Sequence, residues 1–374
     1  MNNNKTYTFL NLATVNEPFN ASIKEALCRV ADSGRFIGGP ETEEFEQRMA
    51  ALTGAARAIG VSNGLDALRL ILRGYIELGR LQPGDEVIVP ANTYIASVLA
   101  VSDCGLVPVP VEPRRDTMNI DTRRIEAAIT AHTRAIMPVH LYGRIATDDR
   151  LLELAARHRL LVIEDAAQAI GARDEHGRAA GAIGHAAGFS FYPTKNIGAL
   201  GDAGAITTSD PELAQVVSAL RNYGCDYTYH NIYRGLNCRL DPMQAAVINV
   251  KLPHTAEVNA YRRRLAAIYN SEINNPLIEK PVFEPDDYCV WHQYVVKTAR
   301  RDHFRDYLAE NGVETLIHYP VPPHLQPCYP GLAGLSLPIA EQLGRQVLSL
   351  PITACTSEQD AREISAIINR YTND

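Results

Sequence analysis

The sequence predicts an α/β protein, with a mostly parallel sheet in a large three-layer domain followed by a smaller α+β domain. Short apolar runs alternate with longer helical patterns between about residues 45 and 210. Several of these runs are apolar at every position, as is typical of strands covered on both faces. After about residue 240 helices dominate. We therefore expect the large domain, with the N-terminal segment, over residues 1–250 and the small domain over residues 251–374.

Composition excludes several classes of protein. The chain has 374 residues, of which 46% are apolar, and a formal net charge of −7 without long blocks of either sign. This balance argues against nucleic-acid partners and polybasic membrane surfaces. No apolar run reaches the roughly 18 residues that a membrane span needs. Seven cysteines without a C-x-x-C pair, and an N-terminus without a signal-peptide core, predict a cytoplasmic protein with reduced thiols.

The alternating part of the chain supplies strands and helices in turn. The expected strands are Glu86–Pro90, Leu106–Val111, Ala135–His140, Leu160–Glu164, Gly188–Tyr192 and Gly204–Thr208. The expected helices between them are Asp66–Leu78, Tyr94–Asp103, Asp121–Ala131 and Thr147–His158. Parallel sheets of this kind bind ligands beyond the carboxyl ends of their strands. Candidate functional residues are therefore sought at those ends.

The C-terminal part has a different pattern. Its expected helices are Pro242–Leu252, His254–Asn274, Asp302–Glu310, Leu337–Ser349 and Ser357–Tyr371. Val290–Lys297 and Val313–His318 are expected strands on either side of the third of these helices. The long second helix is the expected connection between the two domains.

The first candidate site is a small polar turn, Ser62-Asn63-Gly64-Leu65, that leads directly into a helix. The free backbone N–H groups at a helix N-terminus bind phosphate groups well. An ordinary N-cap by Ser62 or Asn63 is the alternative interpretation, and for this motif alone it is the favoured one.

The second candidate is Asp165, which follows the strongly apolar run Leu160–Glu164. A carboxylate at this edge of the sheet is costly unless it meets a cation or several hydrogen-bond donors. A protonated pyridine nitrogen is one such cation. A helix-capping aspartate explains the pattern equally well.

The third candidate is Lys195, three residues after the buried strand Gly188–Tyr192 and just before a glycine-rich stretch. Partial desolvation lowers the proton affinity of a lysine and makes it nucleophilic, which is the condition for forming a Schiff base. Most lysines are simply solvated. The ordered set of a phosphate-binding turn, a strand-end aspartate, Ser190 and a lysine favours the catalytic interpretation.

Three longer motifs carry a resemblance to a known family. They are EDAAQAIGA at Glu164–Ala172, FSFYPTKNIGALGDAGAI at Phe189–Ile206 and GLNCRLDPMQAA at Gly235–Ala246. With them, the chain resembles the DegT/DnrJ/EryC1/StrS family of sugar aminotransferases, which use pyridoxal phosphate and have the fold type I architecture. The resemblance covers nearly the whole chain and implies a homodimer with shared active sites.

The resemblance also implies roles for individual residues. Lys195 matches the lysine that carries the cofactor, and Asp165 matches the partner of its pyridinium nitrogen. The other implied cofactor contacts are Gly64, Leu65 and Ser190 to the phosphate, Tyr94 on the ring face, Gln168 at the ring oxygen, and Asn237 to the phosphate of the neighbouring subunit. Taken singly, Gln168 is better explained as a helix-surface amide, and Arg239 as a structural partner of Asp241.

Other segments are similar to the members that aminate carbon 3 of dTDP-linked 3-keto-6-deoxyhexoses. They are Arg221–Tyr227, Gly235–Asp241 and Ile317–Gln326. The resemblance implies that Tyr192, His318, Tyr319 and His324 contact the sugar nucleotide. It implies a ping-pong reaction through Lys195, with glutamate as donor and 2-oxoglutarate as product, and no metal.

Three alternatives stay open. A related C4 aminotransferase would act on a nucleotide-linked 4-keto sugar. A catalytically idle relative would only bind a sugar nucleotide or regulate transcription, but the complete set of Lys195, Asp165 and the phosphate-binding turn argues against it. A nicotinamide-dependent oxidoreductase would need a G-x-G-x-x-G turn after an early strand, and the sequence contains none.

Overall fold

A seven-stranded sheet forms the centre of the computed structural model, which describes residues 5–283 and 288–372. Its strands are β1 (Arg57–Val61), β2 (Glu86–Pro90), β3 (Val107–Val111), β4 (Thr133–Ile136), β5 (Leu161–Asp165), β6 (Ala186–Ser190) and β7 (Gly204–Thr208). They lie in the order β1-β7-β6-β5-β4-β2-β3. Strand β7 is antiparallel to both of its neighbours, and the other adjacent pairs are parallel. The predicted, mostly parallel sheet is confirmed.

Helices cover both faces of this sheet. They are α1 (Leu12–Asn16), α2 (Asn20–Ser33), α3 (Pro40–Thr53), α4 (Gly64–Glu77), α5 (Ile95–Asp103), α6 (Thr122–Ala128), α7 (Asp149–His158), α8 (Pro211–Leu220) and α9 (Pro242–Lys251). Along β2, Val87 and Val89 pack into the core that holds α4 and α5, whereas Ile88 packs on the opposite face with α7. This alternation explains why the strand is apolar at every position.

The part of the chain after α9 builds a second core. Its elements are α10 (Thr255–Glu272), β10 (Tyr294–Lys297), α11 (Arg301–Glu310), α12 (Pro338–Gln346), β11 (Val347–Leu350) and α13 (Glu358–Asn369), whereas two short strands, β8 (Cys225–Tyr227) and β9 (His230–Asn231), lie between α8 and α9. Strands β8 and β9 form a separate hairpin, and β10 pairs antiparallel with β11. Residues of α10, α11, α13, β10 and β11 form one buried apolar cluster.

The structure corrects two expectations here. The helix expected over Leu337–Ser349 ends at Gln346, because Val347–Leu350 is a strand. All four residues of that strand are buried, and a short apolar run alone does not distinguish helix from strand. The strand expected over Val313–His318 is also wrong, since this segment makes only isolated bridges, from Val313 to Tyr7 and from Leu316 to Ser349.

The strand expected over Ala135–His140 is displaced as well. Strand β4 begins at Thr133 and ends at Ile136, shortly before Pro138, whose ring nitrogen has no N–H to donate to a ladder. The chain then continues along β5, with a bridge between Val139 and Asp165.

Among the described helices, none combines the length and the apolar character that crossing a bilayer requires.

Candidate active site

A cleft of about 510 Å³ lies at the carboxyl ends of the parallel strands. It brings together most of the residues that the sequence singled out. These are Gly64, Leu65, Tyr94, Asp165, Gln168, Ser190, Tyr192, Lys195, His318 and Tyr319. Residues separated by up to about 250 positions along the chain therefore meet in one place.

Lys195 lies in the loop that follows β6. Its backbone N–H donates to the carbonyl of Tyr192 at 2.8 Å, which closes a turn. The loop then packs so tightly that a Cβ on Gly198 would lie 2.3 Å from the Pro193 carbonyl oxygen. Burial lowers the pKa of Lys195 to about 8, although the charge of Asp165 acts in the opposite direction. About a tenth of this amine is thus unprotonated, and nucleophilic, at pH 7, far more than for a solvated lysine.

Asp165 ends β5 and is 6% exposed. Its carboxylate accepts hydrogen bonds from Ser97 Oγ at 2.7 Å and from the Ala167 N–H at 3.1 Å. Ser97 is in turn 2.9 Å from Thr93 Oγ1. Donors of this kind stabilise a carboxylate that burial would otherwise penalise. Turns follow β5, so Asp165 has no helix of its own to cap and its charge is available to the cleft.

The turn Ser62-Asn63-Gly64-Leu65 leads into helix α4, as its sequence predicts. Asn63 is the N-cap of α4, since its Oδ1 accepts from the N–H of Asp66 at 2.8 Å. The first N–H groups of the helix, at Gly64 and Leu65, have no intrahelical acceptor. A Cβ on Gly64 would lie 2.7 Å from Ser190 Cβ, so only glycine leaves this corner open. The capping interpretation is therefore confirmed, and the anion-binding interpretation stays a prediction.

The glutamate beside Asp165 has a different environment. Glu164 is completely buried, and its carboxylate accepts from the N–H groups of Gly181, Ile183 and Gly184 at 2.9, 2.9 and 2.7 Å. His140 Nε2 lies 2.9 Å from the same carboxylate, while its Nδ1 accepts from the Ala146 N–H at 3.0 Å. Nε2 is therefore the protonated nitrogen and donates to Glu164. This acid holds loops together and does not line the cleft.

Gln168 links two tyrosines at the cleft wall. Its Oε1 accepts from the Tyr142 N–H at 2.5 Å, and its Nε2 donates to the Tyr319 hydroxyl at 3.1 Å. Gln168 is 8% exposed and sits in a turn, so the interpretation as a helix-surface amide is wrong. The rings of Tyr319 and Tyr94 are 5.0 Å apart between centroids. Tyr94 itself is 52% exposed at the mouth of the cleft.

Two histidines face Lys195 across the cleft. His318 Nδ1 lies 2.8 Å from Ser349 Oγ, and burial together with the charge of Lys195 lowers the pKa of His318 to about 4. Burial, with the same charge as a smaller cause, also holds the pKa of His292 well below its usual value. Both rings are thus neutral at physiological pH. Among the described residues that line the cleft, Lys195 is then the one side chain able to carry a positive charge.

Two predicted residues lie outside this cleft. Asn237 is exposed and bridges to Asn222, and its predicted contact belongs to a neighbouring subunit. His324 is completely buried, with its Nε2 3.5 Å from Glu341, and does not line the cleft. Arg239 donates to Asn222 Oδ1 at 2.7 Å, in place of the predicted pairing with Asp241.

Sequence reasoning missed several residues of the site. Ser97, Asp202, His292 and Gln293 either line the cleft or bond to a residue that does. Ser97 could have been found from the sequence, because it is a hydroxyl residue within the otherwise apolar run Ile95–Val101. Buried polar groups need a partner, and the carboxylate of Asp165 is that partner.

The chain's own groups fit a phosphorylated pyridine aldehyde. The open corner at Gly64 and Ser190 suits its phosphate, the Asp165 carboxylate its ring nitrogen, and the Lys195 amine its aldehyde. The sheet topology and this set of groups define a fold type I, pyridoxal-phosphate-dependent transferase.

Comparison with known proteins identifies the family. Residues 19–369 match the DegT/DnrJ/EryC1/StrS aminotransferase family. The chain belongs to this family, and the predicted resemblance is confirmed.

Two similar proteins have names that specify a sugar. A dTDP-3-amino-3,4,6-trideoxy-alpha-D-glucose transaminase of Streptomyces venezuelae is 52% identical over 92% of this chain and 90% of its own. A dTDP-3-amino-3,6-dideoxy-alpha-D-galactopyranose transaminase of Aneurinibacillus thermoaerophilus is 48% identical over 97% of this chain and 99% of its own.

Solved structures of similar proteins share the fold of nearly the whole chain. S. venezuelae DesV, in complex with a ketimine intermediate, superposes with a TM-score of 0.93 at 49% identity and covers 97% of this chain and 98% of its own. The Bacillus subtilis protein NtdA, with bound pyridoxamine phosphate, gives a TM-score of 0.88 at 33% identity, over 99% of this chain and 87% of its own.

Proposed function

We propose that this enzyme transfers an amino group to carbon 3 of a dTDP-linked 3-keto-6-deoxyhexose and so forms the 3-amino-3,6-dideoxyhexose. The observation that carries the proposal is the single cleft that joins Lys195, Asp165 and the phosphate-binding turn. Relatives at 48–52% identity, both named as 3-amino-sugar transaminases, support carbon 3 and dTDP. A relative whose name specifies a different nucleotide, the GDP-perosamine synthase of Caulobacter vibrioides, is less similar to this chain, at 38% identity.

The chain's residues would hold pyridoxal phosphate at both ends. Gly64, Leu65 and Ser190 would bind the phosphate, and Asp165 would keep the ring nitrogen protonated. Tyr94 and Gln168 would fix the ring face and the ring oxygen. When bound, the cofactor supplies an electron sink for the carbanion that transamination forms.

Lys195 would then act twice. As an amine it is the nucleophile that takes up the cofactor. Once released, it would be the base that removes the proton from the α-carbon of the amino donor in the first half-reaction. In the second half-reaction it would be the acid that delivers a proton to carbon 3 of the sugar. A pKa of about 8 suits both tasks, because the group can gain or lose a proton near neutral pH. We propose glutamate as donor and a ping-pong order, in which 2-oxoglutarate leaves before the keto sugar binds.

Three cleft residues are proposed to contact the sugar nucleotide: Tyr192, His318 and Tyr319. Tyr192 is 52% exposed at the mouth, and the other two line the inner wall. Neutral His318 can accept or donate a hydrogen bond to a sugar hydroxyl. His324 is left out of this set because it is buried outside the cleft.

The proposed catalytic unit is a homodimer, in which Asn237 reaches the phosphate of the other subunit. The exposed aromatic residues Tyr223, Tyr227 and Tyr229 around the β8–β9 hairpin suit such an interface.

We also propose that residues 1–250 and 251–374 form the large and small domains, since the second apolar cluster starts at Leu265. The seven free cysteines suit a cytoplasmic enzyme.

Product analysis tests this function. The purified protein is incubated with pyridoxal phosphate, glutamate and a panel of dTDP-linked 3-keto and 4-keto 6-deoxyhexoses. We expect 2-oxoglutarate and a 3-amino sugar, identified by NMR, from the 3-keto substrates only. Amination of the 4-keto sugars alone would contradict the proposed regiochemistry. Lys195→Ala is the inactive control.

A further inference from the structure

A second large cavity, of about 560 Å³, lies behind the loop that carries Lys195. Asn196, the next residue along the chain, belongs to its wall. The other walls come from the N-terminal segment around Phe19, from the end of α9 and from the first two turns of α10. This cavity is separate from the proposed active site and has no part in the proposed reaction.

Lys251 forms one side of this cavity and is 2% exposed. Its ammonium donates to Asn16 Oδ1 at 2.9 Å and to the Gly198 carbonyl at 2.5 Å. Within residues 5–283 and 288–372, no carboxylate is paired with it, and burial lowers its pKa to about 8. An ammonium has three donors, so one of them remains for a further acceptor.

Arg262 is a second buried cation in the same wall and is 6% exposed. Its Nη1 donates to the carbonyls of Trp291, His292 and Ile352 at 3.2, 3.1 and 3.1 Å. None of the described carboxylates pairs with this guanidinium, whose pKa burial lowers to about 10. Carbonyl dipoles satisfy hydrogen bonds but leave the positive charge uncompensated.

The start of helix α10 adds to this positive field. The helix is 18 residues long and no side chain caps its N-terminus, although the first N–H, that of Thr255, donates to the Leu252 carbonyl. His254, Glu257 and Val258 line the cavity. Helix N-termini attract anions. Glu257 is the one carboxylate among the described lining residues. Its side chain is 81% exposed, and its carboxylate lies 3.2 Å from His254 Nδ1. Arg264 stands at the rim, 3.1 Å from Glu358.

We propose that this cavity is a binding site for a phosphate-sized oxyanion, held between Lys251, Arg262 and the N-terminus of α10. Two buried cations without an opposing charge are costly, and a bound oxyanion offsets that cost. The ligand is either free phosphate or the phosphoryl group of a small phosphate monoester, since the cavity volume admits both.

Occupancy of this site would act on the Lys195 loop. Lys251 holds the Gly198 carbonyl, and Asn196 joins the two cavities by accepting a hydrogen bond from His292 Nδ1 at 3.0 Å. An anion that draws the Lys251 ammonium toward itself weakens its bond to Gly198. The site is therefore placed to modulate the cleft without entering it.

Titration calorimetry on the protein saturated with pyridoxal phosphate tests the proposal, because the cofactor then fills the phosphate-binding turn in the active site. Inorganic phosphate and glycerol 3-phosphate are added at constant ionic strength, with chloride as reference. We expect saturable binding of at least one of them, and the tighter ligand identifies the source. Lys251→Met should weaken the affinity at least about tenfold, as the loss of a charged hydrogen bond predicts.

The matched control is Lys280→Met. Lys280 also caps two carbonyls, those of Asn270 and Ile273 at 2.6 and 2.8 Å, but does not line the cavity. Its loss should leave phosphate affinity unchanged. Arg264→Gln, at the exposed rim, should weaken binding about two- to threefold and serves if Lys251→Met does not fold. Binding no stronger than that of chloride, or equal weakening by Lys280→Met, would overturn the proposal.

Discussion

Ser97 Oγ donates a 2.7 Å hydrogen bond to the carboxylate of Asp165. The bond joins helix α5 to the end of strand β5, and a second donor, the Ala167 N–H, completes the environment of the acid. The Asp165 carboxylate is thereby fixed in position at the floor of the cleft. Its proposed task, to keep a pyridine nitrogen protonated, depends on this fixed charge.

Replacing Asp165 by Asn removes the charge while keeping the shape. We expect turnover to fall at least about a hundredfold, because the cofactor's ring nitrogen loses the anion that keeps it protonated. Ser97→Ala should cost about tenfold, the lower end expected for the loss of one hydrogen bond to a charged group. Steady-state kinetics with saturating cofactor measures both effects. Asp306→Asn, on the exposed face of α11, is the control and should be fully active.

The protonation state of Lys195 should change in an unusually low pH range for a lysine. Its pKa is lowered from 10.5 to about 8, so the ammonium dominates below pH 8 and the reactive amine above it. Acetylation of Lys195 in cofactor-free protein, followed by mass spectrometry, should rise with a midpoint near pH 8. Asp165 raises this pKa, so Asp165→Asn should move the midpoint further down. A midpoint near 10 in the native protein would show that the amine is solvated.

Gly64 is predicted to be irreplaceable for cofactor binding. An added methyl group would lie 2.7 Å from Ser190 Cβ and fill the corner that would receive the phosphate. Gly64→Ala should raise the dissociation constant for pyridoxal phosphate at least about tenfold, the loss of one charged hydrogen bond. Spectroscopic titration measures it. Gly331→Ala, where the new methyl meets nothing within 4 Å, should bind the cofactor normally.

Glu164→Gln should destabilise the fold and leave the chemistry intact. The substitution turns one carboxylate oxygen into an NH₂ group among the N–H donors of Gly181, Ile183 and Gly184. A loss of about 2–4 kcal/mol in the free energy of unfolding is expected from such unsatisfied buried donors. Urea unfolding measures this, with exposed Glu153→Gln as control. Unchanged stability would refute the structural role assigned to Glu164.

Much of the large sheet could be predicted because its strands are apolar on both faces and end in polar residues. Strands β2 and β7 have the predicted bounds. Strand β1 was not predicted, because Arg57–Val61 is short and its partner β7 lies far along the chain. The four-residue strand β11 was not predicted for a related reason, because it is recognisable only by its pairing with β10.

The site could be predicted where a residue type and its strand-end position coincide, as for Asp165 and Lys195. It could not be predicted where tertiary packing decides. His324 lies in the segment Ile317–Gln326, whose resemblance to the family implied a contact with the sugar nucleotide. The fold instead buries His324 beside Glu341. His292 reaches the cleft only through the packing of a distant segment, whereas Asp202 lies in the glycine-rich stretch after Lys195. The proposed oxyanion site depends on the burial of Lys251 and Arg262, which their sequence neighbours do not indicate.

Covalent capture of the cofactor tests the central claim most directly. The native protein is incubated with pyridoxal phosphate, reduced with borohydride, digested and analysed by mass spectrometry. We predict one phosphopyridoxyl group on the peptide that contains Lys195, and none on that peptide in Lys195→Ala. An adduct spread over surface lysines, or absent altogether, would contradict the assignment of this amine as the catalytic group.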